Sequence, residues 1–165
     1  KNIHQSKGFT LIELVVVIVI LGILAATAAP KFINLQDDAQ TAILQAVKAS
    51  MQSAGTLVHS KSLIEGNQDV VDDTVKVNGL DLRIVYGYPS SANVYGEAVW
   101  KALLDIEFTT VFPPQTREFR ILVTGNVVTI YPEGKTVTAA GQACSVSYTQ
   151  PAAVDTTPTI TVVDC

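Results

Sequence analysis

The sequence predicts an α+β chain: one long amino-terminal helix packed on a globular head built on antiparallel sheet. Three observations predict it. An uncharged apolar run opens the chain, a helical repeat follows it, and hairpin-like segments separated by Gly and Asn turns fill the rest. The 165 residues suit one ordinary domain, and 48% are hydrophobic against 16% charged. With mean hydropathy at +0.33, disorder is excluded. A formal charge of −4 makes nucleic acid an unsuitable partner. Two histidines, His4 and His59, are too few for most histidine-based metal or catalytic schemes.

The apolar run comes first. No charged side chain occurs from Leu14 to Pro30, and Phe9 to Ala29 spans 21 residues. As a helix it would extend roughly 30 Å, the thickness of a bilayer's hydrocarbon core. A secretory signal has a shorter apolar core of about 7–15 residues. The Ala-Thr-Ala-Ala preceding Pro30 nevertheless offers a signal-peptidase site, so cleavage there competes with a retained anchor. Lys1 and Lys7 precede the run, which keeps the amino end cytoplasmic and sends the remainder across. Cys144 and Cys165 would then lie on an oxidising side where a disulfide is permitted. Glu13 interrupts the apolar segment. A carboxylate costs about 2.5–3.5 kcal/mol at a bilayer's centre and less near its edge. Glu13 therefore either sits among headgroups or awaits a positive partner.

After Pro30 the pattern becomes amphipathic. Leu35, Ala39, Ile43, Val47, Ser50, Ala54 and Leu57 recur at helical spacing, and Gly66-Asn67 offers a stop. One helix from about Phe9 to Ile64 would be roughly 80 Å long. Pro30 removes one backbone hydrogen bond, and with Gly22 marks the weakest section, which either holds a static kink or loosens on leaving the bilayer. Val75 and Val77, Asn78-Gly79, then Leu80, Leu82 and Ile84 predict a hairpin. Ser90 or Ser91 is expected to cap a short helix carrying Val99, Trp100, Leu103 and Leu104. Phe119 to Val123, Gly125-Asn126 and Val127 to Tyr131 predict a second hairpin, and Cys144 to Tyr148 with Thr159 to Val163 a last strand pair.

The string Lys7-Gly8-Phe9-Thr10-Leu11-Ile12-Glu13-Leu14 resembles the processing site of type IV prepilins and pseudopilins. The resemblance implies cleavage after Gly8, N-methylation of Phe9, subunit registration through Glu13, and helix breaks at Gly22 and Pro30. It also implies a type IV pilin fold and a carboxy-terminal region closed by a Cys144–Cys165 disulfide. The domains follow: a cleaved leader over 1–8, a membrane and filament-core half-helix over 9–29, and an amphipathic half-helix plus head over 30–165. The chain begins at Lys1 without methionine, so the leader is expected to be longer. The stretch from Gly8 to Asp38, with Tyr86-Gly87-Tyr88-Pro89-Ser90 and the terminal cysteine, is similar to major pilins of the mannose-sensitive haemagglutinin type.

By this resemblance the chain is expected to polymerise into a pilus that attaches to surfaces, with a type II secretion pseudopilin as the alternative. Expected partners are like subunits, the prepilin peptidase, an inner-membrane assembly platform with ATPases, and mannose-type glycans. The expected location is the inner membrane, then an extracellular filament, of a Gram-negative bacterium. Removing Lys1 and Lys7 leaves nine basic residues against fifteen acidic ones, a mature charge of −6 before the termini. The cationic amine of Phe9 is then the natural partner for Glu13 of a neighbour.

An anchored periplasmic enzyme is the competing class. His4 falls in the leader, leaving His59 near a helix end, where a structural role outweighs general-base chemistry. His-Glu-x-x-His and Cys-x-x-Cys are absent. Gly134-Lys135-Thr136 matches the end of a phosphate loop, but Thr129 stands at its first glycine. Asp69, Asp72 and Asp73 either form a solvated loop or bind calcium. No catalytic residue, metal site or cofactor is assigned.

Overall fold

The computed structural model describes residues 9–93, 95–109 and 117–165. Helix α1 runs Leu11–Glu65 and is followed by β1 (Asp73–Val77), β2 (Leu80–Val85), β3 (Tyr88–Pro89), α2 (Gly96–Leu103), β4 (Phe119–Thr124), β5 (Val127–Pro132), β6 (Ser145–Thr149) and β7 (Thr159–Val163). The strands make two antiparallel sheets, ordered β1-β2-β3 and β4-β5-β6-β7. This is the expected α+β architecture. The chain divides into two compact units between Asp37 and Asp38.

The hairpins follow from their turn residues. Asn78 and Gly79 take φ of 51° and 82°, the left-handed pair that a two-residue turn needs, and Val77 pairs with Leu80 across it. Gly125, at φ 59°, and Asn126 join β4 to β5, with Thr124 opposite Val127. Gly66 at φ 75° ends α1, its N–H and that of Asn67 both donating to the Ser62 carbonyl.

Within the second unit, α1 buries Leu44, Val47, Met51 and Ala54 against Trp100 and the inner faces of β5 and β6. Val58, one turn on, joins Val75, Val77, Leu82 and Ile84 beneath the smaller sheet. The predicted apolar stripe is therefore corrected. Of its members only Val47 and Ala54 are buried, whereas Leu35, Ala39, Ile43, Ser50 and Leu57 are exposed. Two stripes with three-four spacing lie about 100° apart on this helix, and the head covers only one of them. A second correction concerns α2. Tyr95 stands at its N-cap without a side-chain bond, while the Ser91 hydroxyl donates to the Asn126 carbonyl and its N–H to Gln150 Oε1 at 2.8 Å. Ser91 ties the loop before α2 to the larger sheet instead of capping the helix.

Cys144 and Cys165 are disulfide-bonded, 21 residues apart in sequence. The bond lies at the foot of α1's head half: the Cys165 N–H donates to Thr41 Oγ1 at 3.0 Å, and Cys144 N–H to the Asp164 carbonyl at 2.9 Å. A loop of this length, left open in the unfolded chain, costs about 3 kcal/mol in the chain-entropy model. The double variant Cys144→Ser, Cys165→Ser should lose about that much in urea unfolding, with the head still folding.

Glu133 supplies an acid-sensitive link. Its Oε2 accepts from Thr109 Oγ1 at 2.7 Å and from Arg120 Nε at 2.9 Å, and these contacts, Thr109 first, hold its carboxyl below the usual glutamate range. A depressed carboxyl stabilises the fold above its unfolded pKa and loses that contribution as the pH falls through its folded value. Unfolding midpoints followed from neutral pH downwards should therefore fall less steeply in Glu133→Gln than in the parent.

Candidate assembly segment

The amino-terminal unit carries the chemistry that the sequence marks. Gly8, with Lys1, Lys7 and His4, lies outside the described residues. Phe9 precedes α1 and is 86% exposed, and every apolar side chain from Leu11 to Leu24 is exposed in the isolated chain. The most apolar window of α1 has a mean hydropathy of 2.8 with none of it buried, and the helix is long and apolar enough to cross a membrane. Such a surface needs lipid or other helices around it.

Glu13 is held by a device that the sequence analysis missed. Thr10 occupies the N-cap, and the Thr10 N–H and hydroxyl both donate to Glu13 Oε2, at 2.9 and 2.6 Å. The Glu13 N–H returns to Thr10 Oγ1 at 3.3 Å. This reciprocal pair is a capping box, and its sequence signal was present as Thr-x-x-Glu ahead of an apolar run. Both local bonds fall on Oε2, so Oε1 makes no hydrogen bond among the described residues. The carboxylate thus caps its own helix while keeping one oxygen for an incoming donor.

Gly22 and Pro30 lie inside α1, which is helical at both positions. Pro30 has no N–H to offer the Ala26 carbonyl, and nothing within 4 Å would meet a Cβ on Gly22. The Thr27 hydroxyl donates back to the Leu24 carbonyl at 3.0 Å, which satisfies it without a partner helix.

The remaining candidates are spent elsewhere. Asp72 pairs with Arg83 at 3.0 Å, Asp73 accepts from Asn67 Nδ2 and from the Thr74 N–H, and Asp69 accepts from Gln68. Among the described residues, no group of three His, Cys, Asp or Glu is placed to hold a metal ion. Arg83 also lies over the Tyr95 ring at 4.3 Å and donates to its hydroxyl, a bond that raises its pKa further. Gly134, at φ 86°, forms the turn after β5. His59 stacks on Tyr88 with ring centroids 4.2 Å apart.

A family model described as the prokaryotic N-terminal methylation motif matches residues 3–29. The type IV narrow pilus major component PilA5 of Thermus thermophilus is 54% identical over 50 residues, covering 30% of this chain and 43% of that protein. A fimbrial protein of Pseudomonas aeruginosa is 42% identical over 78 residues, covering 47% of each chain. The type II secretion system core protein G of Pseudomonas aeruginosa is 50% identical over 40 residues, covering 24% of this chain and 28% of that protein. The chain spans less than half the length of each of these curated relatives. No solved structure matches it at a significant level. Over its amino-terminal part the chain thus carries the methylation motif and is similar to pilin, fimbrial and type II secretion proteins.

Proposed function

We propose that the chain is a type IV pilin that is cleaved after Gly8, methylated on Phe9, held in the inner membrane by residues 9–29 and then polymerised into a surface filament. The observation that carries this reading is the uncharged, exposed helical surface from Leu14 to Ala29, which follows a capped Glu13. In a filament that surface packs against the same segment of other subunits. The free Oε1 of Glu13 accepts the amine of a neighbouring Phe9, which fixes one subunit's register against the next. The exposed stripe of Ala39, Ile43, Ala46, Ser50, Ser53 and Leu57 supports the same packing, because it is charge-free and left uncovered by the head. Gly22 and the unpaired Ala26 carbonyl at Pro30 make the intervening helix easy to loosen as the subunit leaves the bilayer.

The prepilin peptidase and an inner-membrane platform with ATPases would process and extrude the subunit, in a Gram-negative cell. Surface attachment, of the mannose-sensitive haemagglutinin type, rests on the resemblance of Tyr86 to Ser90 and of the terminal cysteine. Similarity to a type II secretion core protein favours a second reading, a pseudopilin whose filament stays in the periplasm. Electron microscopy of cells labelled with antibody against the head tests the two. Labelled surface filaments are expected, and label confined to the periplasm would favour the pseudopilin.

A further inference from the structure

A polar furrow runs beside α1 in the head. It has two adjoining compartments of about 440 and 290 Å³ that share Tyr88 and Thr157. One wall is α1 from Met51 to Leu63, the other is the loop between β6 and β7, the turn after β2 supplies Tyr86 and β3 supplies Tyr88. The combined space is of the size that holds a small ligand.

The lining is chemically one-sided. Among the described residues, no lysine or arginine borders either compartment, while Asp69 and Asp155 contribute carboxylates to the larger one. An anionic ligand is therefore disfavoured. The Asp155 carboxylate, the Tyr86 and Tyr88 hydroxyls and the Gln52 side-chain amide make no hydrogen bond among the described residues. These groups include donors as well as acceptors. An apolar ligand would leave them all unpaired at a desolvation cost, and an ammonium would use only the acceptors. A ring bearing many hydroxyls matches both, and its C–H face suits the aromatic rings.

The furrow is also held open. Tyr86 adopts left-handed backbone at φ 48°, a costly conformation for an aromatic residue, and Asp155 does so at φ 60°, which its short polar side chain tolerates. Gly87 permits the stacking of His59 on Tyr88, since a Cβ there would lie 2.8 Å from His59 Nδ1. The strain at Tyr86 is borne at a residue that presents an unpaired group.

We infer that this furrow binds an uncharged saccharide, with Tyr86 and Tyr88 as its aromatic platform and Asp155 as its principal hydroxyl acceptor. The inference rests on the attachment role proposed above and gives it a location. Its test uses the full chain in detergent micelles, titrated with maltotriose, cellotriose and mannotriose and followed by saturation-transfer NMR. At least one of these should bind, with Asp155→Asn and Tyr86→Asn each weakening it about tenfold or more and leaving the thermal midpoint near the parent's. Asparagine tolerates the left-handed backbone at both positions, so the variants remove the interaction and not the turn.

No saturable binding of any neutral trisaccharide would overturn the inference, as would binding that both variants leave intact. Displacement by trilysine, or equal binding of 3′-sialyllactose, would overturn it too. Filaments formed by a chain that binds no saccharide would remove the furrow and leave the pilin reading standing. Binding by a chain that never forms filaments would do the reverse.

Discussion

Glu13→Ala subunits should fail to enter filaments while their heads fold normally. The substitution removes the capping of α1 through Thr10 and, with it, the acceptor proposed for a neighbour's amine. Leaving one partner of a buried ion pair uncompensated costs about 3–5 kcal/mol, whereas losing a helix cap costs about 1 kcal/mol. The pair of variants Glu13→Gln and Thr10→Ala separates the roles. Glutamine can still accept the Thr10 bonds but carries no charge, so it should assemble nearly as badly as alanine. Thr10→Ala weakens the cap and keeps the charge, so it should assemble with only a modest loss. The yield of sheared filament per cell, set against total subunit, measures all three. Full assembly of Glu13→Gln would remove the ion pair from the account and leave Glu13 as a cap alone.

Trp100→Ala should destabilise the head by about 3–5 kcal/mol, the usual cost of emptying a large aromatic site. Trp100 is fully buried on α2 and meets the Tyr148 ring edge-on at 4.4 Å, while the Tyr148 hydroxyl donates to the Pro89 carbonyl at 2.9 Å. Through these contacts one side chain joins α2, the core face of α1 and the larger sheet. Burial of the phenol, followed by the influence of Tyr88, pushes its pKa well above the tyrosine range, so Tyr148 stays neutral wherever the protein is folded. The Trp100 indole N–H is buried without a hydrogen-bond partner among the described residues. Trp100→Phe should therefore cost far less than alanine, because it keeps most of the ring and discards an unpaired donor. Denaturant unfolding of the detergent-solubilised chain gives both values. Equal losses for the two variants would mean that the N–H, not the packing, is what matters there.

Elements whose signals are local were legible in advance. Asn78-Gly79 and Gly125-Asn126 placed both hairpins, because a turn that needs left-handed backbone restricts the residues able to form it. The Gly66 stop is of the same kind. What failed required knowledge of what lies opposite. The buried face of α1 is centred on Leu44, Val47, Met51, Ala54 and Val58, but the uncovered stripe through Ile43 and Leu57 is nearly as apolar. Periodicity could not choose between them, since both stripes follow the same three-four spacing. Ser91 looked like a cap because its type suits one. Its hydroxyl had a stronger demand from the Asn126 carbonyl, 35 residues away. The Thr10 cap has a local signal of its own, since its spacing to Glu13 is that of a capping box. The furrow was beyond reach from sequence alone, since its walls come from α1, the β2–β3 turn and the loop ahead of β7.

Processing at Gly8 and incorporation into a surface filament would leave a signature in the intact mass of the protein sheared from native cells. The expected mass is that of Phe9 to Cys165 plus one methyl group, less two hydrogens for the Cys144–Cys165 disulfide. An uncut chain in the sheared fraction, or a chain cut beside Pro30, would contradict it.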